Sequence, residues 1–590
     1  MKNIILRSRL LLTCALLISA LGACSNAEEQ DGFVLVESLE DEKSTFDSAL
    51  EPGENKEDSL SAERALPISV DKSSTAVWEV KNFWHETDTS DARRAGMAWG
   101  EDSGLDWDEK YARWVESMQK IDGVSYGETF ELTTPFGKTL PAPSIECAET
   151  SLFLRATFAS WYKLPFFVEA RDGRGKRVFL GHFGFRTAEG KYANSADFTR
   201  YRDHRDLTDT WQERGWPEDQ RLRGRRLGGA QDDEQPALFE GAHAGAYFDE
   251  IYLNKRTGYF MIYLLSYFGS VNLADPSNTF NITPESTRAG DTLLHRWKRQ
   301  GIGHTLVVKN TKEVIEGRYE IELVSGSMPR RQPTWESASS SKYSLTSQKA
   351  GGHEVSFYDD VPYSKLGGGM KRWRTAQVVS DRWVNVVPSK DRDAYVRSND
   401  YTAIGDRVER YSEILTELTP ELKREVILER LFAARDHLQR YPASCAARTR
   451  REEAFKELYT LEEEEFNTDR KEIDERYRRL EDYVLAELTY DESKTCCWNS
   501  TNNDMFEIIM AYAIKETYRD DEGMCVAPTV FKSHSDGYER WRSFAEELGR
   551  GELWVEWSED EACAQRNVAE DKVTESWDVQ WFNHLCAEDI

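Results

Sequence analysis

Cys147 stands apart among the nine cysteines of this 590-residue chain. Cys14 and Cys24 fall near the N-terminus, and Cys445, Cys496, Cys497, Cys525, Cys563 and Cys586 lie in the last third, an even set able to close disulfides in an oxidising compartment. Cys147 has no such partner, so it is either a buried structural residue or a used thiol. Pro141 and Pro143 keep a helix from starting before Ser144. Leu152, Phe153, Ala156, Ala159 and Trp161 then give an apolar helical face that ends before Leu164-Pro165. The spacing therefore predicts a helix over 148–162 with Cys147 in its first turn. There, free backbone amides and the helix dipole favour a thiolate, and the amide of Cys147 would face a developing oxyanion.

A cysteine nucleophile needs a base, and two histidines are candidates. His304 opens the apolar run Thr305–Val308 behind Gly303, and His182 sits in Val178–Phe185 between two glycines. For either one, a satisfied core histidine is the alternative.

These blocks resemble the NlpC-type and CHAP branches of the papain-like cell-wall hydrolases. In those families a Gly-Asp turn, here Gly290-Asp291, precedes a strand, and a Gly-His pair, here Gly303-His304, opens the next. The resemblance covers residues 144–166 and 286–310. It implies Cys147 as nucleophile and His304 as base, with the third residue on the following strand, Tyr319–Val324, where Glu320 and Glu322 share a face. The stretch between Cys147 and Gly290 is long for a compact member, which implies a large insertion. Glu146-Cys147-Ala148-Glu149 and Leu164-Pro165-Phe166 are also similar to bacterial transglutaminase-like proteins. That rival implies Cys147, His182 and Asp197 as the catalytic set.

Other elements must position these groups. Asp106 can cap a helix through Trp107, Tyr111, Trp114, Val115 and Met118. Residues 130–140 are extended but broken by Pro135 and Gly137. Tyr259–Leu265 reads as a buried helix beside the one that follows Cys147. Lys365-Leu366-Gly367-Gly368-Gly369 lacks the Gly-Lys-Ser/Thr ending of a phosphate loop and reads as a glycine turn. Val378-Val379 and Trp383–Val387 suggest further strands. From about residue 400, stretches 415–438 and 451–488 are dense in Glu and Arg at helical spacing, with Glu462–Glu465 as a solvated face.

The N-terminus reads as an export signal. Lys2, Arg7 and Arg9 flank an apolar run too short to span a bilayer. Leu21-Gly22-Ala23-Cys24 resembles the lipobox of bacterial lipoproteins, which implies acylation of Cys24 (palmitate among the chains) and the lipid bilayer as a partner. Ser25 where a retention signal would place Asp points to the outer membrane or cell surface, facing periplasm or exterior. A net charge of −29 repels polyanions and argues against nucleic acid. The basic cluster Arg221–Arg226 reads as a solvated loop.

The expected organisation is a signal peptide over 1–23 and an acidic flexible tether over 24–76. An α+β papain-like domain with a large insertion follows over 77–390, then a mainly α-helical, disulfide-stapled domain over 391–590. No cofactor or metal motif is legible. Three functions follow: a cysteine hydrolase cleaving amide bonds through a thioester, with peptidoglycan peptides or a protein as substrate; a catalytically inactive binding or structural envelope lipoprotein; and a transglutaminase-like acyl transferase.

Overall fold

The structure is a computed structural model. It describes residues 66–71, 76–82, 105–484 and 503–553, less 125–126, 172–175, 192–203, 229–241, 299–302, 328–329, 441–444, 517, 520–524 and 527–535. The chain forms two compact units, one spanning Asp31–Glu417 and the other including Leu418–Ile590.

At the centre of the first unit is an antiparallel sheet of seven strands. These are β1 (Thr279–Ile282), β2 (Thr292–Arg296), β3 (Gly303–Ile315), β4 (Arg318–Ser325), β5 (Thr334–Glu336), β6 (Gly369–Trp373) and β7 (Tyr395–Val396). Their spatial order is β5-β4-β3-β2-β6-β1-β7. Alternation along β3 sorts its side chains between two cores. Val307 joins the cluster formed with helix α2 (Cys147–Trp161), whereas Leu306 and Val308 join the cluster containing Val408 and Tyr411. Those last two belong to helix α4 (Tyr401–Ile414), which covers the opposite face of the sheet.

Helix α1 (Trp107–Ser117) starts as the sequence predicts: Asp106 accepts from the amides of Asp108 and Glu109, and Glu109 returns a bond to the Asp106 amide. Helix α2 is buried all round, although the sequence shows only one apolar face. Its polar residues are accommodated by pairing: Ser151 Oγ meets Thr292 Oγ1 at 2.8 Å, Thr157 Oγ1 meets the Tyr252 hydroxyl at 2.6 Å, and Arg155 Nη1 lies 2.7 Å from Asp108 Oδ1. The Arg155 guanidinium also stacks 3.7 Å over the Trp107 ring. Tyr259–Leu265 falls in helix α3 (Lys255–Tyr267), which packs on α2 as expected.

Two boundaries move. Leu66–Pro67 pairs with Arg382–Trp383, and Leu66 and Val70 bury against Phe167, Phe179 and Trp383. Folded chain thus begins inside the expected 24–76 tether. At the other end, β7 and α4 complete the sheet and its second core, so the first unit runs to Glu417 rather than 390. The expected boundary placed α4 with the later helices because all share helical periodicity; tertiary packing assigns it to the sheet.

In the second unit, helices α5 (Pro420–Arg440) and α6 (Cys445–Phe466) pack through Ile427, Leu431, Phe455 and Leu458. Glu462 is buried against Arg424 at 2.5 Å, so it departs from the solvated face expected of it, while Glu463–Glu465 are exposed. Cys496, Cys497, Cys563 and Cys586 lie outside the described residues. Cys445 opens α6 and Cys525 lies in the short strand Cys525–Val526; Cys147, the cysteine whose side chain is described, is free.

Candidate functional site

Cys147 occupies the first turn of α2. Three contacts fix that turn. The Glu149 carboxylate accepts from the Glu146 amide at 2.7 Å, and Arg330 donates to Glu149 from Nε at 3.0 Å and from Nη2 at 2.7 Å. Arg330 Nη2 also lies 3.1 Å from Glu146 Oε1. Gly326, just past β4, passes so close that a Cβ there would come within 2.2 Å of the Ile145 carbonyl oxygen. Only glycine lets the two chains cross at that distance.

The thiol looks into backbone. Cys147 Sγ donates to the Gly303 carbonyl at 3.9 Å, and the amides of Thr305 and Ala148 bond to it. Thus the helix start meets the opening of β3. The protonation state is the reverse of the expectation. Burial, reinforced by the nearby Glu146 carboxylate, outweighs the two amides and pushes the thiol up to about 12. At neutral pH it is a thiol.

His304 is bracketed by the two residues that the thiol contacts, yet its side chain takes the other face of the strand. It shares parity with Leu306 and Val308, and it lies directly opposite His295 in the β2–β3 ladder with ring centroids 6.4 Å apart. His295 Nε2 meets the Ser344 carbonyl at 2.7 Å, and burial lowers this histidine to about 4, so the neutral ring donates there. Thr305 and Val307 face α2 instead. Glu320 and Glu322 alternate with Ile321 and Leu323, which belong to the α4-side core, so both carboxylates leave β4 on the α2 side. Glu322 Oε1 lies 3.9 Å from Lys120 Nζ. The structure therefore brings Cys147 to the strand of His304 but sends the imidazole and the two carboxylates to opposite faces. That arrangement departs from the expected nucleophile–base–orienter line.

The rival set separates further. His182 packs beside Phe166, just beyond the C-terminal end of α2, whereas Cys147 is at its start. Its Nδ1 lies 3.0 Å from the Phe166 carbonyl oxygen, and Trp78, Phe183 and Trp383 surround the ring. Burial lowers it to about 3, so the 3.8 Å approach of Nε2 to Asp71 is a contact between a neutral ring and a carboxyl group, not an ion pair. Asp197 lies outside the described residues.

Sequence reasoning missed a second constellation beside α2. Asp291 of the Gly-Asp turn accepts two bonds from Arg372, at 2.8 Å each, and Arg372 also reaches Asp391 at 2.7 Å. Asp108 is paired with Arg155 and Arg288. Burial alone would raise its carboxyl, but the Arg288 and Arg155 guanidiniums hold it well below the usual carboxylate range. The Gly-Asp signal was legible; its partners, distant in sequence, were not. This network locks α1, α2 and the sheet together. Among the described residues no cluster of His, Cys, Asp and Glu is arranged to hold a metal ion. None of their helices is long and apolar enough to cross a membrane.

No protein-family model, no curated protein and no solved structure matches this chain.

Proposed function

We propose that this chain is an envelope lipoprotein, anchored through an acylated Cys24, whose papain-like domain works as a non-catalytic binding module with peptidoglycan peptides as the partner. One observation carries the reading. The Cys147 thiol at the start of α2 is buried and held protonated, and the imidazole of the adjacent His304 leaves its strand on the other face. Acyl transfer through a thioester requires a thiolate, or a base within hydrogen-bond reach of the thiol. The test incubates purified sacculi with the full-length protein and with Cys147→Ala. The reading expects both to co-sediment with the sacculi equally and neither to release soluble peptide. Peptide release by the wild type that Cys147→Ala abolishes would overturn it.

A second reading, a cysteine hydrolase, is supported by a different observation: the Cys147 sulfur bonds to the Gly303 and Thr305 backbone on either side of His304. Release of peptide in the same experiment is its signature.

A further inference from the structure

A cleft on the first unit opens between the short helix Ser270–Ala274, strands β1, β2 and β6, the glycine turn Gly367–Gly369 and the first turn of α4. Its enclosed part is small, and most of the space within it is open to solvent. Its walls carry three cations, Arg296, Lys365 and Lys371, against the single carboxylate of Asp275. In a chain whose net charge is −29, that local balance is of the opposite sign.

Each cation is positioned by named contacts. Lys371 is 3% exposed and donates from Nζ to Asn281 Oδ1 at 2.9 Å. Arg296 is equally buried and reaches Ser270 Oγ at 3.3 Å. Lys365 is exposed at the mouth, 5.4 Å from the Tyr401 ring centre. Asp275 already accepts from the Ser277 amide at 2.8 Å and from its hydroxyl at 2.6 Å. Ser398 also lines the cleft, and its buried hydroxyl has no hydrogen-bond partner among the described residues. Tyr401 and Ile404 of the 14-residue helix α4 line the same wall; the first turn of that helix is capped by the Asp400 carboxylate, which accepts from the Ala403 amide, so the positive balance of the cleft rests on its three cations. Low-dielectric walls lined by one sign of charge focus the field and concentrate ions of the other sign.

We propose that this cleft binds a small ligand through an anionic oxygen group, a phosphate or a carboxylate, held by Lys371 and Arg296 at its base, Lys365 at its mouth and the Ser398 hydroxyl. The glycine turn that the sequence separates from phosphate loops lines the cleft through Gly367 and Gly368 without the phosphate-loop pattern, and Gly367 takes a φ of +78°. The site is distinct from Cys147 and does not depend on whether the thiol is reactive.

The experiment is calorimetric titration of the full-length protein with inorganic phosphate and, separately, with acetate. Ionic strength is held constant with chloride. One saturable site is expected for at least one of the two anions, and the better of them names the class. Lys365→Glu, an exposed change, is expected to weaken it at least about 10-fold, which corresponds to about 1.4 kcal/mol. Lys371→Met is expected to abolish binding and Ser398→Ala to weaken it several-fold. Absence of saturable binding by both anions, or binding unaltered in Lys365→Glu, overturns the proposal. Should Lys371→Met fail to fold, as read by near-ultraviolet circular dichroism, Lys365→Glu decides alone.

Discussion

Replacing Arg330 by Met should open the N-terminal turn of α2 more than any change of similar size on the surface. Arg330 is 3% exposed and Glu149 1% exposed, and three contacts of 3.2 Å or less join them. Removing the guanidinium leaves the Glu149 carboxylate buried without its counter-ion, which costs about 3–5 kcal/mol. Glu149→Leu removes the same pair and also the bond to the Glu146 amide, a capping contribution of about 1 kcal/mol. Because Arg330→Met strands the Glu149 carboxylate and Glu149→Leu leaves Arg330 with Glu146 as its remaining carboxylate, the double variant should lose less than the sum, with a coupling energy of at least about 2 kcal/mol. A chain of two compact units does not unfold in one step, so the assay is native-state hydrogen exchange read on peptides from residues 147–161. Additivity within about 0.5 kcal/mol, or a loss below about 1 kcal/mol for Arg330→Met, would refute the reasoning.

Two further outcomes are expected. Gly290 has φ +86°, and a Cβ there would sit 2.5 Å from Tyr111 Cε1 in the core, so Gly290→Ala should destabilise the first unit by at least about 2 kcal/mol in the same exchange measurement. Asp71 is raised from 3.8 to about 6, first by burial and then by repulsion from Glu79. The folded protein therefore holds a proton that the unfolded chain releases, and stability should fall as pH rises from about 4 to about 6. Thermal unfolding across that window should show a smaller slope in Asp71→Asn; an unchanged slope would contradict the assignment.

What the sequence disclosed was local. The cap at Asp106, the start of α2 at Cys147, the burial of α3 and the strand behind Gly303 all follow from residues within a few positions of one another. Facing was harder. Whether His304 looks toward α2 or away depends on strand parity, and parity is read only once Val307 and Leu306 are assigned to their cores. The thiol's protonation was misjudged for a similar reason: the helix start is a local feature, while the burial that outweighs it comes from Gly303, Thr305 and Gly326, more than 150 positions later. Arg330 with Glu149, Arg372 with Asp291 and the cationic cleft are also non-local, and no spacing rule connects their members.

The central claim is that Cys147 is a buried, protonated thiol rather than a nucleophile. The direct measurement is the rate of iodoacetamide alkylation of Cys147 in the folded, unreduced full-length protein from pH 6 to 10, mapped by peptide mass spectrometry, with His304→Ala and His182→Ala in parallel. With the thiol pushed up to about 12, labelling should be negligible across the range in all three proteins and complete only on denaturation. Rapid labelling near pH 7 that one histidine variant abolishes would contradict the account and identify an activated cysteine with its base.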